Sequence, residues 1–284
     1  MIEEKKREDV YRMLKWDGHT HTPFCCHGSD AAQEQYIQRA VELGFERYTV
    51  SEHPPLPENW VRDPKLMEEL AMTMDRLPLY FAEMKKIKEQ FAGQIEVTIG
   101  LEIDYLYKSE SFSEQMLDTW LQDLEDVIVS VHYLPGKEGI RCIDFTPDDF
   151  RDAFLDYYGS MDRIIDEYFN HVEMAIEWGK QIPVRKRIGH INLIEKFRQA
   201  LPPFDDALME RRLRSLLPKL KDAGFGLDVN TAGMRVTTCG SIYVPEWLAR
   251  ECRQYGIPLV YGSDAHHPDH VGFGWDQFVK WGME

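Results

Sequence analysis

The chain has 284 residues, of which 43% are hydrophobic, and its formal net charge is −16. This length and apolar content allow one large core, and the acidic balance without a run of Lys or Arg argues against a nucleic-acid partner. The N-terminal segment MIEEKKREDVYRMLKWDG has no apolar leader, and no stretch of about 18 apolar residues follows. We therefore expect a soluble, cytoplasmic protein with no membrane partner.

Short β-rich runs alternate with amphipathic helical segments, which is the pattern of a parallel sheet built from βα units. The predicted strands are one ending near Trp16, then 47–51, 95–101, 126–131, a short one at 187–189, 225–229 and 258–261. One helix is predicted from a cap at Asp30 to Gly44, and another begins at Thr146-Pro147. The sequence therefore predicts an α/β fold.

A Pro-rich loop and a helical stretch occupy residues 54–91, with an interruption at Pro78. This segment is longer than a simple connection, and it is predicted to be an insertion over one end of the barrel. Because the chain shows no internal repeat and no linker, we predict a single domain over residues 1–284.

Candidate metal ligands follow the predicted strands at their carboxyl ends, and one of them, His27, reaches the same region by a short loop. They are His19, His21, His27, His53, Glu102, His132, His190, Asp264 and His266. In a parallel barrel the carboxyl ends converge on one face, so residues nearly 250 positions apart can share one site. This clustering predicts a metal centre at that face.

The spacing within these motifs refines the prediction. His19 and His21 are two residues apart, so in extended backbone they project to the same side. Glu102 is predicted to bridge two ions through its two oxygens, whereas Glu52 and Asp104 are expected to lie on the other side of their strands. His171, His267 and His270 need no role beyond packing or surface exposure.

The five cysteines are scattered, which indicates reduced thiols rather than a disulfide framework. Cys25 and Cys26 directly precede His27, so a thiolate ligand is one interpretation of this pair. Packing in a loop beside a metal site explains the two thiols as well, and the sequence leaves both interpretations open.

Nine candidate ligands exceed what one tetrahedral ion needs, so two or three ions are predicted. A multinuclear site lowers the pKa of bound water and can clamp both the attacking and the leaving oxygen of a phosphoryl group. The sequence contains no Gly-x-Ser-x-Gly elbow, Walker loop or dinucleotide fingerprint. Metal-dependent phosphoester hydrolysis is therefore the favoured chemistry.

These motifs resemble those of the polymerase and histidinol phosphatase (PHP) superfamily over almost the whole chain. The sequence segments 24–29, 100–105, 187–190 and 227–235 resemble the corresponding motifs of the stand-alone phosphatases of histidine biosynthesis. The resemblance implies a distorted (β/α)7 barrel, a trinuclear site filled by zinc, iron or manganese, and hydrolysis of L-histidinol phosphate. The alternative is a PHP-type phosphoesterase for nucleotides or other small phosphate esters.

The resemblance also implies ligand sets: His19, His21, Glu102 and Asp264 for one ion, Glu102, His132 and His190 for a second, and His27, His53 and His266 for a third. It places Asp264 and His266 beside a metal-bound hydroxide that attacks phosphorus, with Asp264 or a metal-bound water protonating the leaving group.

Substrate-binding side chains are predicted from their positions near strand ends. Arg235 is the predicted bidentate phosphate clamp, and Arg187, Lys196 and Arg198 are further candidates. Glu52, Asp104 and Tyr105 are expected to bind the ammonium and imidazole groups of the substrate from the rim.

Overall fold

Seven parallel strands form the centre of the computed structural model, which describes residues 14–282. They are β1 (Trp16–Asp17), β2 (Arg47–Glu52), β3 (Glu96–Asp104), β4 (Asp126–Ser130), β7 (Arg185–Ile188), β8 (Gly226–Asn230) and β9 (Leu259–Gly262), paired in that order. The first thirteen residues, which carry most of the segment predicted to lack a leader, lie outside the described residues.

Backbone contacts between the first and last strands close the sheet. Gly18 donates its N–H to the carbonyl of Tyr261 at 2.8 Å, and Asp264 donates to the carbonyl of His19 at the same distance. A parallel bridge between Thr20 and Ala265 continues this ladder. The predicted seven-stranded α/β barrel is therefore confirmed.

The predicted strands agree with the observed ones to within a few residues, with two exceptions. β3 continues to Asp104, so Glu102 lies within the strand rather than after it. A two-stranded antiparallel hairpin, β5 (Tyr133–Gly136) and β6 (Gly139–Cys142), follows β4 and was not predicted. The prediction missed it because its strands of four residues carry no clear alternation.

Helices surround the barrel in chain order. They are α1 (Gln33–Glu42), α2 (Pro64–Leu70), α3 (Leu77–Gln90), α4 (Glu110–Trp120), α5 (Pro147–Phe150), α6 (Asp156–Tyr158), α7 (Met161–Trp178), α8 (Asp206–Ala223), α9 (Glu246–Tyr255) and α10 (Trp275–Gly282). A π-helical turn, Arg151–Leu155, joins α5 to α6. None of the helices between residues 14 and 282 has both the length and the apolar composition needed to cross a membrane.

Two of the predicted helix boundaries can be compared directly. Thr146 caps α5 by accepting a hydrogen bond from the N–H of Asp149 at 3.0 Å, as expected. The predicted cap at Asp30 is wrong, because α1 begins at Gln33 after Ala32 and has no side-chain cap. Gly44 follows the helix with a φ of +75°, a conformation that glycine adopts without steric cost.

Residues 54–91 form two helices with different roles. Pro78 lies in the first turn of α3. It therefore starts a helix, and the predicted interruption of a helix at Pro78 is wrong. The hydroxyl of Tyr80 donates to the carbonyl of Gly100 at 2.7 Å, which places α3 against the outside of β3 as an ordinary barrel helix. Trp60 and Leu66 instead belong to a separate apolar cluster with Tyr133 of the hairpin, and the covering of one barrel end by residues 54–91 stays a prediction.

The alternation of β3 explains how a carboxylate reaches the middle of the barrel. Leu101 and Ile103 belong to the main hydrophobic core, and Glu102 therefore points to the opposite, inner face. Asp104 is two residues further and shares that inner face. The prediction that Asp104 lies on the other side of β3 is wrong for this reason.

Candidate metal centre

Glu102 lies at the centre of the polar cluster, and its two carboxylate oxygens face different histidines. Oε2 is 3.0 Å from Nε2 of His19 and 3.4 Å from Nε2 of His21. Oε1 is 2.8 Å from Nε2 of His190 and 3.7 Å from Nε2 of His132. One carboxylate therefore joins two ligand groups.

Asp264 closes the first of these groups. Its Oδ1 is 3.2 Å from Nε2 of His21 and 3.8 Å from Nε2 of His19. Its backbone has a φ of +52°, a left-handed conformation that is uncommon for residues other than glycine and clusters at functional sites. Arg235 donates to the carbonyl of Asp264 at 2.9 Å, and Asn230 donates to its Oδ2 at 3.0 Å. These contacts hold the carboxylate against the two histidines.

A third group lies beside the first. The ring of His266 stacks on that of His21, with 3.9 Å between centroids, and the ring of His27 is 4.8 Å from that of His266. His53 is 5.3 Å from His27 by the same measure. His27 is exposed, and its Nδ1 bonds the carbonyl of Glu69 at 3.0 Å. All nine side chains that the sequence predicted as ligands therefore lie in one region at the carboxyl ends of the strands.

Three carboxylates hold the ring nitrogens that face away from the centre. The Nδ1 atoms of His19, His21 and His132 are 2.7, 3.1 and 2.7 Å from oxygens of Asp228, Glu52 and Asp104, respectively. Each contact fixes the orientation of the ring and leaves Nε2 directed towards Glu102. Carboxylates usually orient metal-binding histidines in this way.

The sequence reasoning missed Asp228 as a partner of His19. The available signal was the spacing of Asp228 and Asn230, two polar residues on one face of an otherwise apolar predicted strand. Gly262 makes room for this contact, since a Cβ there would lie 2.2 Å from Oδ1 of Asp228 and 2.7 Å from Cβ of His19.

The electrostatics of the metal-free cluster reflect this dense charge. Burial alone would lower the pKa of His19, but Glu102, Asp228 and Asp264 raise it well above its usual value. Burial would raise the pKa of Asp264, yet His19 and His21 hold it well below the ordinary range. In the metal-free protein the ionised carboxylate of Asp264 and the protonated ring of His19 stabilise each other, and a bound cation would take the place of that proton.

The donor set fits a group of divalent transition metals. Nε2 of His21 and His266, Nδ1 of His53 and Oδ1 of Asp264 are buried, and none of them makes a well-aligned hydrogen bond to a described residue, although His21 and Asp264 lie 3.2 Å apart through these atoms. Such orphaned polar atoms are costly unless something binds them. Two ligand atoms about 2.1 Å from one tetrahedral ion lie roughly 3.4 Å apart, which matches the spacing around Glu102. Imidazole and carboxylate ligands accept zinc, iron or manganese.

Several predicted substrate-binding residues lie elsewhere. Arg187 is 1% exposed and pairs with Asp126 at the amino-terminal end of the strands, so it cannot reach a substrate. Arg198 pairs with Glu195 and Asp206 at the surface.

Tyr105 also points away from the centre. Its hydroxyl donates to Glu110 at 2.8 Å, and its ring lies near His171 and Trp178 of α7. These contacts place it in the helix layer. The structure therefore contradicts the substrate-binding predictions for Arg187 and Tyr105, and the one for Arg198 stays a prediction.

The two predicted rim carboxylates are occupied by the cluster itself. Glu52 is fully buried, and its oxygens accept bonds from His21, Thr22 and the N–H of His53. Oδ1 of Asp104 lies 2.7 Å from Nδ1 of His132. Neither is free to bind an ammonium or imidazole group from the rim, which corrects that prediction.

The two remaining cations lie near Asp264. Arg235 donates through both terminal nitrogens to the carbonyls of Ser263 and Asp264, so it supports the loop instead of offering a free fork to phosphate. Lys196 places Nζ 2.8 Å from Oδ2 of Asp144, and its side chain is 26% exposed. The charge of Lys196 also interacts with Asp264, so this cation lies near the metal ligands.

Comparison with known proteins agrees with this geometry. The PHP domain model matches residues 17–232, and a PHP-associated model matches residues 248–280. The histidinol-phosphatase of Bacillus subtilis is 37% identical over 94% of this chain and 99% of its own length.

Two solved structures share the fold. One is a Listeria monocytogenes protein, for which histidinol phosphatase is itself an inferred activity. It has a TM-score of 0.87 and 34% identity, covering 93% of this chain and 100% of that one. A histidinol phosphate phosphatase from Lactococcus lactis, solved with zinc, L-histidinol and phosphate, has a TM-score of 0.69 and 18% identity over 96% and 95% of the chains. On the family model and the Bacillus relative, this chain belongs to the PHP-domain family.

Proposed function

We propose that this protein is a metal-dependent phosphomonoesterase that hydrolyses L-histidinol phosphate to L-histidinol and phosphate. The observation that carries the proposal is the position of Glu102, whose two oxygens each face a separate buried histidine group. The identity of 37% with the Bacillus subtilis histidinol-phosphatase, over nearly the whole of both chains, supports the choice of substrate. The cytoplasmic location and the lack of a nucleic-acid partner remain predictions from sequence.

We assign the ligands in three sets. His19, His21, Glu102 and Asp264 hold one ion, Glu102, His132 and His190 a second, and His27, His53 and His266 a third. When bound, ions of zinc, iron or manganese supply positive charge to the phosphoryl oxygens and an activated water for attack on phosphorus. The carboxylates Asp228, Glu52 and Asp104 orient the ligands, and their negative charge strengthens the basicity of the histidine rings.

Asp264 and His266 act as ligands in this proposal, and in the metal-free protein Asp264 is ionised and the ring of His266 is neutral. The neighbouring histidines keep Asp264 ionised, so it has no proton to give. Burial and the charge of His21 lower the pKa of His266 to about 3, so its ring is neutral at neutral pH. Because these pKa shifts belong to the metal-free protein, the expectation that Asp264 or a metal-bound water protonates the leaving oxygen stays a prediction.

Lys196 is the side chain we assign to the substrate phosphate. Burial alone would lower its pKa, but Asp144 and, more weakly, Asp264 raise it, so the ammonium stays charged. Asp144 holds Nζ at 2.8 Å and thereby positions this charge near Asp264. An ammonium held there can bind a phosphoryl oxygen that also approaches the ions.

The test is phosphate release from histidinol phosphate beside a panel of nucleotides and sugar phosphates, with protein purified without chelator. We expect kcat/KM for histidinol phosphate to exceed that for every other ester. Comparable efficiency across the panel would instead favour a general PHP-type phosphoesterase. Glu102→Gln should abolish turnover of all substrates, because the shared ligand loses one anionic oxygen.

A further inference from the structure

A buried thiol lies on the side of the centre where His53 and His266 meet. Cys25 is 8% exposed, and one ligand atom from each of His21, Cys25, His53 and His266 lies within 4.8 Å of the others. The sequence left open whether the cysteines beside His27 bind metal or fill a loop. The position of the Cys25 sulfur among three imidazoles distinguishes it from an ordinary packing residue.

The adjacent cysteine has a different environment. Cys26 is exposed, and its S–H donates to the carbonyl of Ala71 at 3.1 Å. The backbone of Cys25 is fixed by a bond from its N–H to the carbonyl of Thr22 at 3.0 Å and by one from Gly28 to its carbonyl. The loop therefore holds one thiol at the ligand group and turns the other towards residues 64–71.

The imidazoles next to Cys25 have atoms that need a partner. Nδ1 of His53 and Nε2 of His266 are buried and make no hydrogen bond within residues 14–282. A cation placed between these nitrogens would satisfy both, and the Cys25 sulfur lies within 4.8 Å of one ring nitrogen of each histidine, within reach of the same cation. His27, the other predicted ligand of this set, is exposed and tied to Glu69.

We propose that Cys25 is a thiolate ligand of the ion held by His53 and His266, adding sulfur to the set that includes His27. This rests on the metal centre of the proposed function. On binding, the S–H bond breaks, the sulfur–metal bond forms and the proton passes to solvent. Because thiolate prefers zinc over manganese, this position should select zinc more strongly than the two that lack sulfur.

The first test uses cadmium, whose bonds to thiolate give an ultraviolet charge-transfer absorption. Metal-free wild-type protein and the variants Cys25→Ser and Cys26→Ser are titrated with cadmium, and bound metal is counted separately. We expect the absorption in the wild type and in Cys26→Ser, and its loss in Cys25→Ser. The Cys25→Ser variant should also release its weakest zinc ion to a chelator at least ~10-fold more readily.

The second test does not depend on the folding of a variant. The zinc X-ray absorption spectrum of the wild-type holoprotein should contain a sulfur shell at ~2.3 Å beside the nitrogen and oxygen shell. A spectrum with only nitrogen and oxygen ligands, or a cadmium absorption that persists in Cys25→Ser, overturns the proposal. If histidinol phosphate is still hydrolysed in that case, the phosphatase proposal stands without the thiolate. Failure to bind either metal overturns both.

Discussion

Arg187 provides a decisive test of how the barrel is built. It is 1% exposed and donates to Asp126 at 2.8 Å and to the carbonyl of Gly18 at 2.7 Å. Arg185 contacts the same oxygen of Asp126 at 3.2 Å, but its side chain is 43% exposed. Both guanidinium groups also lie over the ring of Trp16. The two arginines therefore differ mainly in burial, which makes Arg185→Met a matched control for Arg187→Met.

The expected loss in the free energy of unfolding follows from this difference in burial. Removing Arg187 leaves Asp126 buried with only the outer guanidinium of Arg185 as partner, and it also removes the donor to Gly18. Breaking a buried ion pair in this way costs about 3–5 kcal/mol. The same change at an exposed pair costs up to about 1 kcal/mol. At ~2–4 °C per kcal/mol, we expect Arg187→Met to lower the melting temperature by roughly 6–20 °C.

The assays are thermal melting and equilibrium urea unfolding, both at a fixed zinc concentration because bound metal adds to the apparent stability. The double variant Asp126→Leu/Arg187→Met should regain much of the loss, since it removes both buried charges. The folded fraction of Arg187→Met should have the same KM as the wild-type enzyme. An unchanged urea midpoint together with a raised KM would refute this reasoning and restore Arg187 as a substrate-binding residue.

Three further predictions concern the metal ligands and their supports. Asp228→Asn removes the charge that fixes His19 and should weaken zinc binding by ~10–100-fold, measured by chelator competition; equal affinity would contradict the role given to Asp228. Gly262→Ala places a Cβ 2.2 Å from Asp228, so zinc binding should weaken although no ligand is changed, and a wild-type zinc affinity would show that the neighbours move aside. Burial alone would lower the pKa of His132, but Asp104 raises it to about 10 from 6.5. In the metal-free protein, the ion pair of His132 with Asp104 therefore contributes its full stabilisation below about pH 6.5, and this contribution is lost as pH rises through about 10. The urea midpoint should fall over this range, and Asp104→Asn should flatten the dependence.

The sequence by itself determined the barrel and the location of its site. The β-rich runs are local signals that predicted most strand ends to within a few residues. Thr146 and Gly44 are local signals that marked one helix start and one helix end. Because carboxyl ends of parallel strands meet at one face, the strand-end positions of residues as distant as His19 and His266 were enough to place them together. Glu102 could be named as a shared ligand for the same reason.

The tertiary structure alone decided which charged residues support the site and which reach it. Asp228 touches His19 only because β8 and β9 return beside β1, and that pairing spans more than two hundred residues. Arg187 and Lys196 are both cations near β7, yet Arg187 pairs with Asp126 at the amino-terminal ends of the strands, whereas Lys196 pairs with Asp144 near the metal ligands. Local sequence carries no information on this depth, since depth is set by the register and closure of the whole sheet.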